Sequence, residues 1–117
     1  MESLSRQLKK GVLDVLLLKL LSEKTLYGYE LMALLDEAGG GYFSAKEGTL
    51  YPVLYRLEDA GYIQSVWENT GTRRGAPRKY YTVTPEGGIH LEKAQKELEG
   101  FIGAIRRIMA ERKEDSK

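Results

Sequence analysis

Apolar residues recur along the first part of the chain with the period of a helix. Leu13, Leu16, Leu17 and Leu20 fall at i, i+3, i+4 and i+7, with Val12 and Leu21 widening the stripe and Lys19 on the wet side. This predicts a first helix from about Lys10 to Ser22. A second is predicted after Thr25, whose hydroxyl is a candidate N-cap, with Leu31, Leu34 and Leu35 inward and Asp36 and Glu37 outward. Gly39-Gly40-Gly41 ends it, because three glycines in succession carry too much backbone entropy to stay helical.

The third helix has two readings. Ser44-Ala45-Lys46-Glu47 has the S-x-x-E spacing of a capping box, which leaves Pro52 inside the helix facing the carbonyl of Gly48. Alternatively Thr49 is the cap, and Pro52 sits harmlessly in the first turn. In both, Leu50, Val53, Leu54 and Leu57 form the buried stripe and Gly61 ends the element. Tyr62–Glu68 and Arg78–Thr84 then read as β-branched and aromatic strands, the second with Tyr81 and Val83 on one face. Between them lies a turn-forming stretch, Asn69 to Pro77, so the pair forms a β-ribbon. Thr84-Pro85 opens a last helix with a capping hydroxyl and a proline at its first position. Along it Leu91, Leu98 and Ile105 repeat every seven residues, as do Ala94, Phe101 and Ile108, with Ile102 and Met109 on the same side. Gly100 and Gly103 weaken this seam by about 1 kcal/mol each.

The order is helix, helix, helix, strand, strand, helix: a mostly α fold with a small β-hairpin. A short-looped helix pair followed at once by a ribbon is the layout of a winged helix-turn-helix, in which the second helix of the pair enters the DNA major groove. Residues 1–84 form that domain on this reading, and 85–117 a C-terminal dimerisation helix packed as part of the same unit.

Composition changes the picture little until charge is located. The chain has 117 residues, 42% hydrophobic and 30% charged, enough for one domain with a core. It has no cysteine, and its longest apolar run, Val15–Leu18, is bounded by Asp14 and Lys19. Neither a membrane span nor a signal peptide is expected, and a cytoplasmic location fits. The net charge of +1 says nothing about nucleic acid. Its distribution does: Arg73, Arg74, Arg78 and Lys79 cluster at the ribbon with no acid between Thr70 and Pro85. Such a cluster suits phosphate contacts. The one histidine, His90, has no ligand or nucleophile pattern around it, and no phosphate loop is present. No catalysis and no cofactor are therefore expected.

Several segments together resemble the PadR family of bacterial transcriptional regulators. They are Leu26–Leu31 (LYGYEL), Glu47–Glu58 (EGTLYPVLYRLE), Gly61–Ile63, Arg73–Tyr81 and Thr84–Gly87. The run Gly48-Thr49-Leu50-Tyr51-Pro52 is the most specific of them. The resemblance implies a winged helix-turn-helix with a C-terminal dimerisation helix, here of the short-tailed kind. It also implies a repressor released by a small molecule or another stress signal.

Residue roles follow from position. Thr49, Tyr51, Tyr55 and Arg56 lie outside the apolar stripe of the third helix and are expected to face DNA, with Lys46 in its first turn on phosphate. Tyr29, near the start of the second helix, is a further phosphate candidate. Arg73 and Arg74 are expected to reach a neighbouring groove or its phosphates, and Arg78 and Lys79 to grip the backbone at the base of the wing. The dimer contact is expected from Leu91, Ala94, Leu98, Phe101, Ile102, Ile105, Ile108 and Met109, completed by Leu4 and Leu8; the alternative is that this seam packs against the first helix of the same chain. The expected partners are a second copy of the chain and duplex DNA carrying an inverted repeat, with an effector of unspecified chemistry and no membrane. The rival reading is a winged-helix module that binds protein and not DNA.

Overall fold

The computed structural model of the chain describes residues 3–68 and 77–112. The elements run α1 (Leu4–Glu23), β1 (Leu26–Tyr27), α2 (Gly28–Ala38), α3 (Glu47–Asp59), β2 (Ile63–Glu68), β3 (Arg78–Val83) and α4 (Pro85–Met109). The result is a winged helix-turn-helix followed by one long helix.

Three element starts differ from expectation. Helix α1 begins at Leu4, not Lys10, because Ser3 caps it, its hydroxyl accepting from the Arg6 N–H at 3.2 Å. The added turns carry no buried stripe, so hydrophobic periodicity does not register them. Thr25 is not the cap of α2. Leu26 and Tyr27 pair with Tyr81 and Tyr80 as a third strand, and the Tyr27 N–H is satisfied by the Glu30 carboxylate at 3.1 Å. Neither Ser44 nor Thr49 caps α3. Lys46, in an extended conformation, stands at the cap, and its carbonyl accepts from the N–H groups of Thr49 and Leu50, both at 2.9 Å. Ser44 lies too early because Phe43 and Ala45 are drawn onto the core in an extended segment. Pro52 therefore sits inside α3, opposite the Gly48 carbonyl, as the first reading supposed.

The sheet is antiparallel in the order β1-β3-β2, with Ile63 opposite Val83 and Trp67 opposite Lys79. Its inner face and the three first helices enclose one core. Leu17, Leu18 and Leu21 enter it from α1, Leu31 and Leu35 from α2, and the whole expected stripe of α3, Leu50, Val53, Leu54 and Leu57. Ile63 and Tyr81 close it from the sheet. The loop after α2 turns on Gly40 and Gly41, at φ +64° and +83°, a region closed to most side chains.

Helix α4 starts as expected: the Thr84 hydroxyl accepts from the Gly87 N–H at 3.0 Å, with Pro85 in the first turn. Only Gly87 and Leu91 of this helix are buried. Leu91, expected on the dimer seam, is 8% exposed and belongs to this chain's own core, because the first turns of α4 pack on α1 and β3. Ala94 and Leu98 are half-buried. Beyond them Phe101, Ile102, Ile105, Ile108 and Met109 are all exposed. The chain is correspondingly elongated: its radius of gyration is 17.8 Å and its longest extent 75 Å. A compact chain of this length would have a radius of about 13 Å.

Candidate nucleic-acid interface

Helices α2 and α3 share the core through one side each, which leaves the outer side of α3 and the start of α2 beside the β2–β3 hairpin. Tyr29, the second residue of α2, is 68% exposed. Lys46 and Thr49, at the cap and in the first turn of α3, are exposed too, and Tyr55 is 56% exposed one and a half turns further on. Lys46, Thr49 and Tyr55 are thus exposed on α3, and Tyr29 on the start of α2.

The other expected contacts are differently disposed. Tyr51 is half-buried and turned toward α2, where a Cβ on Gly28 would overlap its hydroxyl. Burial, followed by Glu47 and Tyr55, pushes its phenol above the ordinary range. Its position beside the close-packed start of α2 is a packing position more than an outward one. Arg56 lies on the side of α3 that faces α1, and its Nη2 donates to Asp14 Oδ1 at 2.9 Å. Both partners are largely exposed, so the pair orients the guanidinium more than it stabilises the fold.

Lys79 departs furthest from expectation. In place of an outstretched grip at the wing base, its ammonium is half-buried. The Tyr55, Trp67 and Tyr81 rings lie 5.9, 5.6 and 5.7 Å from it, and Glu58 Oε1 is at 3.9 Å. Three ring faces and a carboxylate attract one cation, so Lys79 ties β3 to α3. Arg78, by contrast, is exposed on the strand, its guanidinium 4.7 Å from the Tyr27 ring. Arg73 and Arg74 lie outside the described residues.

Sequence reasoning did not single out Asp14, Glu58 or Tyr42, and each acts through a distant partner. Glu58 also accepts from the Ser65 hydroxyl at 2.6 Å, stitching α3 to β2. His90 stacks on Tyr62, with ring centroids 4.1 Å apart and planes at 8°. Among the described residues no helix is long and apolar enough to cross a membrane.

Tyr81 sits beneath Lys79. Its hydroxyl is buried and has no hydrogen-bond partner among the described residues. Burial, then Tyr51, Glu58 and Tyr55, push its phenol up to about 12 from an ordinary value of 10.0. The folded state thus holds a proton that the unfolded chain releases first. The resulting stability is complete below pH 10, and it is lost as pH rises through about 12. Tyr81→Phe removes an unsatisfied polar group and is expected to raise stability by about 1 kcal/mol at neutral pH. It should also flatten the loss of stability above pH 10, which urea unfolding across an alkaline pH series measures.

Known proteins share this arrangement. The model of the transcriptional regulator PadR-like family matches residues 17–93, which takes in α2, α3, the wing and the start of α4. The chain belongs to the PadR-like family of transcriptional regulators. Among solved structures, a transcriptional regulator from Clostridium thermocellum is similar, with a TM-score of 0.80 and 31% identity over 89% of this chain and 99% of that one. A PadR-like transcriptional regulator from Bacillus cereus gives a TM-score of 0.76 and 28% identity over 91% and 99%. The negative transcriptional regulator PadR of Bacillus subtilis is 36% identical over 80 residues, 68% of this chain and 43% of that protein. The PadR-like chain described here thus spans less than half of that relative's length.

Proposed function

We propose that this PadR-like chain is a sequence-specific, homodimeric DNA-binding regulator acting as a repressor, released by a small-molecule or stress signal in the cytoplasm. The observation that carries the reading is the set of exposed side chains on α2, α3 and the wing strand. Tyr29, Lys46, Thr49 and Tyr55 surround the exposed side of α3, and Arg78 stands on the adjoining wing strand. Helix α3 enters the major groove, Thr49 and Tyr55 meeting base edges and Lys46 a phosphate. Arg73 and Arg74 are assigned to the groove or phosphates beside it.

The dimer forms through Leu4 and Leu8 of α1 and the outer stripe of α4 from Ala94 to Met109. Residues 1–84 and 85–117 act as one unit, the second setting the spacing of the first. Two recognition helices then address half-sites separated by roughly 34–36 Å or a multiple of it.

Selection of bound sequences from random duplex DNA by the purified protein, at two salt concentrations, tests this. Enrichment of an inverted repeat with steep salt dependence is the expected result. Failure to retain duplex at either salt would instead favour a protein-binding winged-helix module. Lys46→Ala is expected to weaken binding almost uniformly across the enriched sequences. It should also lower the slope of log affinity against log salt by about 1 per half-site. An unchanged slope would remove Lys46 from the phosphate contacts.

A further inference from the structure

Antiparallel pairing sets Trp67 opposite Lys79 and Ser65 opposite Tyr81. Alternation along the two strands puts these four side chains on one face of the wing, the face that meets α3. Tyr81 at its inner end is in the core, whereas Trp67 at its outer end is 63% exposed. From α3 come Tyr55 and Glu58, at i and i+3 and so on one side of the helix. The Lys79 ammonium stands between the two elements. The rings of Tyr55, Trp67 and Tyr81 lie 5.6–5.9 Å from it, and Glu58 Oε1 is at 3.9 Å. The other Glu58 oxygen accepts from the Ser65 hydroxyl, so one carboxylate of the helix serves both strands of the wing.

This is a poor place for a phosphate grip. The Lys79 side chain is 27% exposed, while Lys46 and Arg78 are open to solvent. Beside a carboxylate, the ammonium presents little net charge to a polyanion, and swinging outward would forfeit its three ring contacts. Tyr55 is differently placed: it is 56% exposed and is one of the side chains assigned to base edges. The same cation thus touches the ring of a proposed base contact on one side and the wing on the other.

We propose that Lys79 is a positioning residue for sequence discrimination and contacts no phosphate. It locks Tyr55 and the wing together, so that helix and wing meet the duplex in one fixed register; this rests on the DNA-binding reading above. The two roles leave different signatures. Loss of a phosphate contact weakens all sequences alike and lowers the salt slope, whereas loss of register weakens only the sequence whose base edges depend on it.

The test compares the inverted repeat enriched from random duplex with a duplex of the same length and composition in scrambled order, both bound by the full chain. Lys79→Met keeps the aliphatic stem and removes the ammonium. It should weaken binding to the repeat about tenfold, the scale of one mismatched base pair. Binding to the scrambled duplex should stay within about twofold of the wild type, with the salt slope unchanged on both. Lys79→Arg keeps a cation over the rings and should restore the preference to within about twofold. The preference is a ratio, so a smaller folded fraction in either variant does not imitate these results. Emission from Trp67, the one tryptophan of the chain, should shift in Lys79→Met and return in Lys79→Arg. Equal weakening on both duplexes with a lower salt slope would make Lys79 a phosphate contact and overturn the proposal. An unchanged preference in Lys79→Met, or unchanged Trp67 emission, would overturn it as well while leaving the DNA-binding reading in place. A wild-type chain that retains neither duplex would defeat that reading, and this proposal with it.

Discussion

Gly87→Ala is expected to destabilise the fold by about 3 kcal/mol, at the upper end of the cost of overfilling a packed site. A Cβ at this position would overlap the Tyr62 carbonyl oxygen and lie 2.8 Å from the Tyr62 carbonyl carbon and 2.9 Å from Val83 Cγ1. None of these atoms is free to retreat. The Tyr62 carbonyl accepts from the Thr84 N–H at 3.0 Å, and the Tyr62 N–H donates to Leu57 O at 2.9 Å. The Thr84 hydroxyl donates to the Gly61 carbonyl at 2.6 Å while accepting from the Gly87 N–H. Relief must come from moving α4 outward, which loosens this cap and pulls Leu91 from the core. Thermal melts should show a fall of roughly 10–20 °C for a domain of this size. Gly88→Ala is the matched control: nothing lies within 4 Å of its Cβ. It should gain the helix propensity of alanine, about 0.5–1 kcal/mol. A Gly87→Ala protein melting with the wild type would mean that α4 does not leave the wing by this close approach.

How much of this was legible in the sequence depended on the range of the interaction concerned. The α3 stripe, the two long strands and the Thr84-Pro85 start of α4 are local patterns, and each forms where its own residues place it. Strand β1 is too short for any local signal: Leu26 and Tyr27 are extended because Tyr81 and Tyr80, far along the chain, offer them a ladder. The first turns of α1 were hidden for a related reason. Leu4 and Leu8 are spaced as a helix requires, but both are exposed in the single chain, so no wider buried stripe supports them. Glycine-rich and proline-containing motifs carried the family, since Gly48-Thr49-Leu50-Tyr51-Pro52 lies within the matched residues.

Charge was the least legible feature. Lys79 and Arg78 are neighbours in a basic run, yet alternation along β3 sends them to opposite faces of the sheet. Lys79 meets the aromatic side of α3 and β2, and Arg78 meets the Tyr27 ring and solvent. Arg56 was read from its place outside the apolar stripe, which says that it is exposed and not what it is beside. Its partner Asp14 is on α1, and only the tertiary fold brings the two together.

The outer half of α4 carries the other large expected effect. Phe101 is 58% and Ile108 66% exposed, with Ile102, Ile105 and Met109 on the same side. Covering a large apolar side chain contributes about 1.5–3 kcal/mol. In the proposed two-fold dimer that gain applies to both chains, enough to exceed the roughly 4–15 kcal/mol cost of association. Ile102→Glu/Ile105→Glu places four carboxylates in the resulting seam and is expected to yield a monomer at micromolar concentration by sedimentation. The monomer should remain folded, because neither residue belongs to the subunit core. Operator affinity should fall at least about a hundredfold, and the salt slope should drop to about half, since one half-site's phosphate contacts remain. Ile89→Lys tests whether charge on α4 is itself the cause. Ile89 is exposed but lies off the heptad seam, so this variant should sediment and bind as the wild type does. If the double variant stays dimeric, the subunits associate through another surface and the half-site spacing must be derived from that surface instead.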